Sequence, residues 1–139
     1  MKQQDDAVAV LYEFFDQMKK WEAYAQALDK AVEKKRRTER EAVRLIFQRL
    51  QRIFSRYCSG RPKWQDHKHY GEPPEYDPET ELVDKVEVSG DSAHVTTMNH
   101  SWFREGEVNI YSLVRVNTKW RIDHRKQLEA SGRKTTIDL

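Results

Sequence analysis

EVNIYSLVRVNTKWRIDHRKQ, residues 107–127, alternates in residue class with a period of two on both sides of one polar dipeptide. Val108, Ile110, Ser112, Val114 and Val116 fall on one side, against Asn109, Tyr111, Leu113 and Arg115 on the other. That period belongs to extended backbone, whose successive side chains point to opposite faces. Asn117-Thr118 is short and polar, which suits a tight reversal. On the return, Trp120, Ile122 and His124 share one side, with Arg121, Asp123 and Arg125 opposite. The stretch therefore reads as an antiparallel hairpin.

The same period continues upstream. Leu82–Val88 reads as a strand, Ser89-Gly90-Asp91 as a short turn, and Ser92–Asn99 as the returning strand with Ala93, Val95 and Thr97 on one face. Between 61 and 81, Pro62, Gly71, Pro73, Pro74 and Pro78 interrupt any ladder or helix, so a loop is expected there. Before the loop the period is helical. From Asp5 to Leu28 the apolar positions Leu11, Phe15, Met18 and Ala25, flanked by Phe14, Trp21 and Leu28, recur at intervals of three and four. Thr38-Glu39-Arg40-Glu41 has the T-x-x-E form of a capping box, which starts a second helix near Glu39. Its stripe is Val43, Ile46, Phe47, Leu50, Ile53, Phe54 and Tyr57, and Gly60 and Pro62 stop it. The expected fold is α+β: N-terminal helices packed on a curved antiparallel sheet of about four strands, with the greasy sheet face over the helix stripes. One domain should span 1–139, with its core at about 5–128 and 129–139 a polar tail.

Apolar residues make up 37% of the chain and charged residues 35%, against typical values of ~45–50% and ~25%. A core is affordable, under a heavily charged surface. No apolar run approaches the ~18 residues of a membrane span. The single cysteine, Cys58, builds no internal disulfide, and the first residues lack a signal core, so a cytoplasmic location is expected. The net charge of +2 hides an asymmetry: 1–70 carry 16 Lys/Arg and 10 Asp/Glu, while 71–139 carry 9 and 13. Residues 71–91 hold eight acids against Lys85 alone, a bias that suits a basic partner as readily as a solvated loop.

The order of elements and the last hairpin, Asn109–Arg115 and Lys119–Asp123, resemble the cone-shaped fold of nuclear transport factor 2 and ketosteroid isomerase. The segment Tyr70-Gly71-Glu72-Pro73-Pro74-Glu75-Tyr76-Asp77-Pro78-Glu79 is similar to one found in bacterial immunity proteins of that fold. The likeness runs from about Asp6 to Leu128. It implies a non-enzymatic antidote in a polymorphic toxin system, binding one cognate toxin domain. On that implication Glu72, Glu75, Tyr76, Asp77 and Glu79 in the loop, with Trp102 and Tyr111 as aromatic anchors, are the expected partner-binding residues.

Other chemistries would need other residues. Acid–base work in the cone would draw on His124, Asp123, His94, His100 and Tyr111, but alternation puts only His124 on the face of Trp120 and Ile122. Cys58, His67 and His69 match no zinc spacing, so neither metal nor cofactor is expected. Lys34-Lys35-Arg36-Arg37 is a basic run whose neighbours Glu33, Glu39 and Glu41 stand in pairing register, so it reads as a salt-bridged surface and not as a nucleic-acid site. The outward sheet face, expected to carry Met98, Tyr111 and Leu113, suits a partner or a second copy of the chain. Trp102 reads equally as a loop anchor or a core plug.

Overall fold

The computed structural model describes residues 2–59, 75–129, 131–137 and 139. Helix α1 spans Lys2–Glu33 and buries Leu11, Phe14, Phe15, Met18, Trp21 and Ala25 along one face. It outruns the expected Leu28 because no Gly or Pro stops it. Its end is made by backbone geometry instead: Arg36 N–H donates to Ala31 O at 2.8 Å and Lys35 N–H to Val32 O at 2.9 Å, with Lys35 at φ +57°. This is the Schellman closure, with lysine where glycine is usual. The basic run thus lies in the turn between helices. Of its expected pairings, Arg37 bonds Glu41.

Helix α2, Glu39–Tyr57, starts where the capping signal puts it, and the Thr38 hydroxyl accepts from Glu41 N–H at 3.2 Å. The Glu41 side chain turns to Arg37, so only half of the box forms. Trp21 Nε1 donates to Ile46 O at 2.8 Å, tying the helices together.

Five strands follow in a meander of order β1-β2-β3-β4-β5, every pair antiparallel. They are β1 Glu81–Ser89, β2 Ser92–Asn99, β3 Val108–Val116, β4 Lys119–Leu128 and β5 Lys134–Ile137. The sheet therefore has one strand more than expected, since part of the supposed polar tail pairs with β4 and Leu139 is buried. The Asn117-Thr118 reversal has both residues at positive φ, +51° and +68°, the backbone hand that matches strand twist.

Two bulges decide what faces inward. In β1, Asp84 is the extra residue between the pairs Val83↔Thr97 and Lys85↔Thr96, and the freed Val83 N–H donates to Tyr12 OH of α1 at 2.9 Å. In β4, Asp123 is extra between Leu113↔Ile122 and Ser112↔His124. A bulge shifts every later side chain by one place. Trp120 and Ile122 face the helices as expected, but beyond Asp123 the inward residue is Arg125 and His124 faces out. On β3 Asn109, Tyr111 and Leu113 are almost fully buried, with Ser112 less so, and the expected outward placement of Tyr111 and Leu113 is overturned. The helices cover that face, and Phe15 lies 5.4 Å from the Tyr111 ring. The end of α2 docks on β4 through Ser59 N–H to Ile122 O at 2.9 Å.

Candidate functional site

The interior of the cone is filled by the chain's own Tyr76. Its ring meets Phe14 edge-on at 5.2 Å and stacks on Phe15 at 5.6 Å, and the Arg125 guanidinium covers it at 5.1 Å. Arg125, 5% exposed, donates to Glu75 Oε1 at 2.9 Å. Glu75 N–H donates to Glu22 of α1 at 2.8 Å, and Lys19 pairs with Asp77 at 3.1 Å. Burying charges is costly unless they are paired and hydrogen-bonded, and these pairings meet that condition. They fix Glu75, Tyr76 and Asp77 against both layers.

Beside Tyr76 lies a second polar cluster that alternation did not foresee. Glu81 is almost fully buried, and its Oε2 accepts from Thr97 Oγ1 at 2.6 Å, Tyr111 OH at 2.7 Å and Asn109 Nδ2 at 3.3 Å. Burial pushes its carboxyl pKa up, against the hydrogen bonds from Thr97 and Tyr111, which favour the ionised form. Burial likewise raises the Tyr76 and Tyr111 hydroxyls well above their usual value. Convergent ionisable groups thus do exist inside the sheet, contrary to the expectation that none would share a face. Glu81, Tyr111 and Arg125 are not among the described residues that line the clefts between α1 and α2, beside Trp102 or at Trp120.

The histidines weighed for acid–base work lie elsewhere. His124 Nδ1 is 3.0 Å from Asp123 Oδ2, and Ser59 donates to Asp123 Oδ1 at 2.7 Å, which puts the carboxylate between serine and imidazole. A nucleophilic relay needs the imidazole next to the hydroxyl, so this order activates no serine. His94 is exposed on the outer sheet face, 3.2 Å from Ser112 Oγ. No group of three His, Cys, Asp or Glu side chains that could hold a metal occurs among the described residues, and His67 and His69 lie outside them.

The expected partner-binding residues divide sharply. Tyr76, expected as a loop contact, and Tyr111, expected as an anchor, have no exposed surface and lie in the core, which corrects both readings. Glu75 and Asp77 are committed to Arg125 and Lys19. Among the other acids of the segment, Glu87 pairs with Lys85, and Asp91 with Arg115. Glu79 is exposed, and Glu72 lies outside the described residues. Trp102 is 87% exposed, and with Phe103, its neighbour at 5.6 Å, it borders a cleft of about 330 Å³ that also includes Glu75, Asp77 and His100.

The loop that carries Trp102 is held firmly. Asn99 N–H donates to Glu107 O at 2.8 Å, Gly106 N–H to Asn99 O at 2.9 Å, and His100 N–H to Thr80 O at 2.8 Å. Asn99 Oδ1 accepts from Ser101 N–H at 2.9 Å, and Arg104 Nη1 donates to Glu75 O at 2.9 Å. Gly106, at φ +80°, closes the loop in the left-handed region that glycine alone enters freely. An indole on a fixed loop in water is a side chain whose burial the fold itself does not use.

The sequence pattern of one family, described as NTF2 fold immunity protein, matches residues 6–135. The chain belongs to that family. No curated protein and no solved structure matches it. The two-layer arrangement of this immunity-family chain, with helices on an open antiparallel sheet, accords with the fold in the family's name. No helix among its described residues is long and apolar enough to cross a membrane. What sequence reading missed in this family member is Arg125, Glu81 and Glu22. A charged residue at an inward position of a strand or helix was the available signal, and for Arg125 the bulge at Asp123 hid it.

Proposed function

We propose that this chain binds and neutralises a cognate toxin domain inside the producing cell, as a stoichiometric inhibitor that catalyses no reaction. The carrying observation is Trp102, almost wholly exposed on a hydrogen-bonded loop beside Phe103 and the Asp77 rim. Exposed tryptophans on preorganised loops are the side chains that dominate binding energy, because little ordering entropy remains to be lost on association. The family of immunity proteins supports the class of partner. Tyr76 supports the non-catalytic role, since it fills the space in which a cone-fold enzyme would hold a substrate.

The test is co-expression with any toxin domain that a gene beside this one encodes. The chain should restore growth, Trp102→Ala should lose most of that protection, and Glu81→Gln should keep it.

A second reading draws on Glu81, whose raised pKa and three donors resemble a proton-handling site. It requires a route from solvent to Glu81. It predicts that Glu81→Gln abolishes protection while Trp102→Ala does not.

A further inference from the structure

Three arginines of α2 line one cleft. The cleft lies between α1 and α2, has a volume of about 530 Å³, and is lined by Arg49, Arg52, Arg56, Tyr24 and Tyr57 among others. No Asp or Glu is among its described lining residues. From Ala42 to Tyr57 the helix carries Arg44, Arg49, Arg52 and Arg56 and no carboxylate. Spacings of three and four put Arg49, Arg52 and Arg56 on one face, over about 10 Å of helix. The Arg49 guanidinium lies 4.6 Å over the Tyr24 ring, and that of Arg56 5.5 Å over Tyr57. Stacking occupies the flat face of a guanidinium and leaves its N–H edge for a carboxylate or phosphate. A cation near a helix C-terminus is also favoured by the helix dipole. That explains Arg56, in the last turn, but neither Arg49 nor Arg52.

Across Tyr57 the next cleft shares Arg56 and adds Lys119 and Arg121, but Asp6 and Glu13 stand among them. The Arg121 guanidinium is spent on the Ser55 and Arg56 carbonyls, so the run of cations without an acid between them ends at Arg56. We propose that this cleft docks an acidic segment of a protein partner, two or three carboxylates spread along two helical turns. The toxin-inhibitor reading supplies the partner's identity, while the cleft's chemistry stands apart from it. The aromatic loop at Trp102 and this cleft are then separate contact surfaces of opposite character.

The test uses the purified full-length chain and a synthetic hexaglutamate peptide, titrated calorimetrically at low and at raised salt. Hexaglutamate should bind, and weaken as salt rises. The Arg49→Glu/Arg52→Glu variant should bind it at least tenfold more weakly. Arg49→Gln/Arg52→Gln, which keeps the stems and hydrogen bonding, should lie between the two. Trp102→Ala should bind the peptide as the parent does, and a hexathymidylate oligonucleotide should bind more weakly than the peptide. No hexaglutamate binding, binding unchanged by both double variants, or tighter oligonucleotide binding would overturn the proposal. No toxin enters the experiment, so those results leave the role of Trp102 untouched, and loss of that role leaves these unaffected.

Discussion

Arg125 Nη2 donates to Glu75 Oε1 at 2.9 Å although fifty residues of chain separate them. One bond therefore joins the inward face of β4 to the segment that carries Tyr76 into the cone. Arg125 is 5% exposed and the Glu75 side chain 19%, so removing the arginine takes this cation from a half-buried carboxylate. Arg125→Met should lower unfolding free energy by about 3–5 kcal/mol in urea titrations. Glu75→Gln/Arg125→Met should cost clearly less than the two single changes added, since the stranded charge is gone. Strict additivity would show that the pair is not coupled.

Glu81 has a pH signature with a definite sign. Its carboxyl pKa is raised by burial above the ordinary 4.5, so the folded chain keeps a proton that the unfolded chain has released. The resulting stabilisation is full below pH 4.5 and is lost as pH rises through the raised value. The stability of the parent minus that of Glu81→Gln should therefore fall as pH climbs from about 4.5, measured as urea midpoints across the range. A difference that stays flat, or rises, contradicts the burial of this carboxyl.

Thr118 adopts φ +68° in the β3–β4 turn, a conformation β-branched residues seldom take. Thr118→Gly should remove that strain at some entropic cost, for a net gain of about 0.5–1 kcal/mol and a higher Tm. A lower Tm would show that the threonine side chain stabilises the turn by more than the backbone strain costs.

Tyr111 donates its hydroxyl to Glu81 at 2.7 Å in a fully buried setting. Tyr111→Phe should cost about 1–3 kcal/mol of stability, because a buried acceptor loses a donor. As a core change it should leave association with the toxin domain unaltered once the protein is folded. Weakened binding by a variant of unchanged stability would place Tyr111 at the interface.

Local signals in the sequence carried most of the fold. Thr38 starts α2 because a cap acts over three residues, and the alternation from Val108 to Val116 names a strand because period two is a property of the backbone itself. The inward face of that strand was not legible. Tyr111 and Leu113 are larger than Val and Ser but no more regular, and only packing on Phe15 decides between the two sides. Bulges are invisible to alternation, so Asp123 sent His124 outward and Arg125 inward against expectation. β5 escaped notice because Lys134–Ile137 is short and half polar, as an edge strand is, and gains its place by pairing with β4. The acidic segment read as one patch because Lys19 and Arg125, distant in sequence, pair with Asp77 and Glu75 only in three dimensions. Trp102 reads from sequence equally as a loop anchor or a core plug, and its exposure removes the plug.

The central claim is that Trp102 on its fixed loop, and not the ionisable groups of the interior, makes the contact with the toxin. The direct measurement is the Kd of Trp102→Ala for the cognate toxin domain beside its unfolding free energy. Stability should change by less than about 0.5 kcal/mol, as for other exposed side chains. Affinity should fall by about 30-fold or more, the loss of roughly 2 kcal/mol that a central aromatic contributes. A Kd equal to that of the parent would contradict the claim.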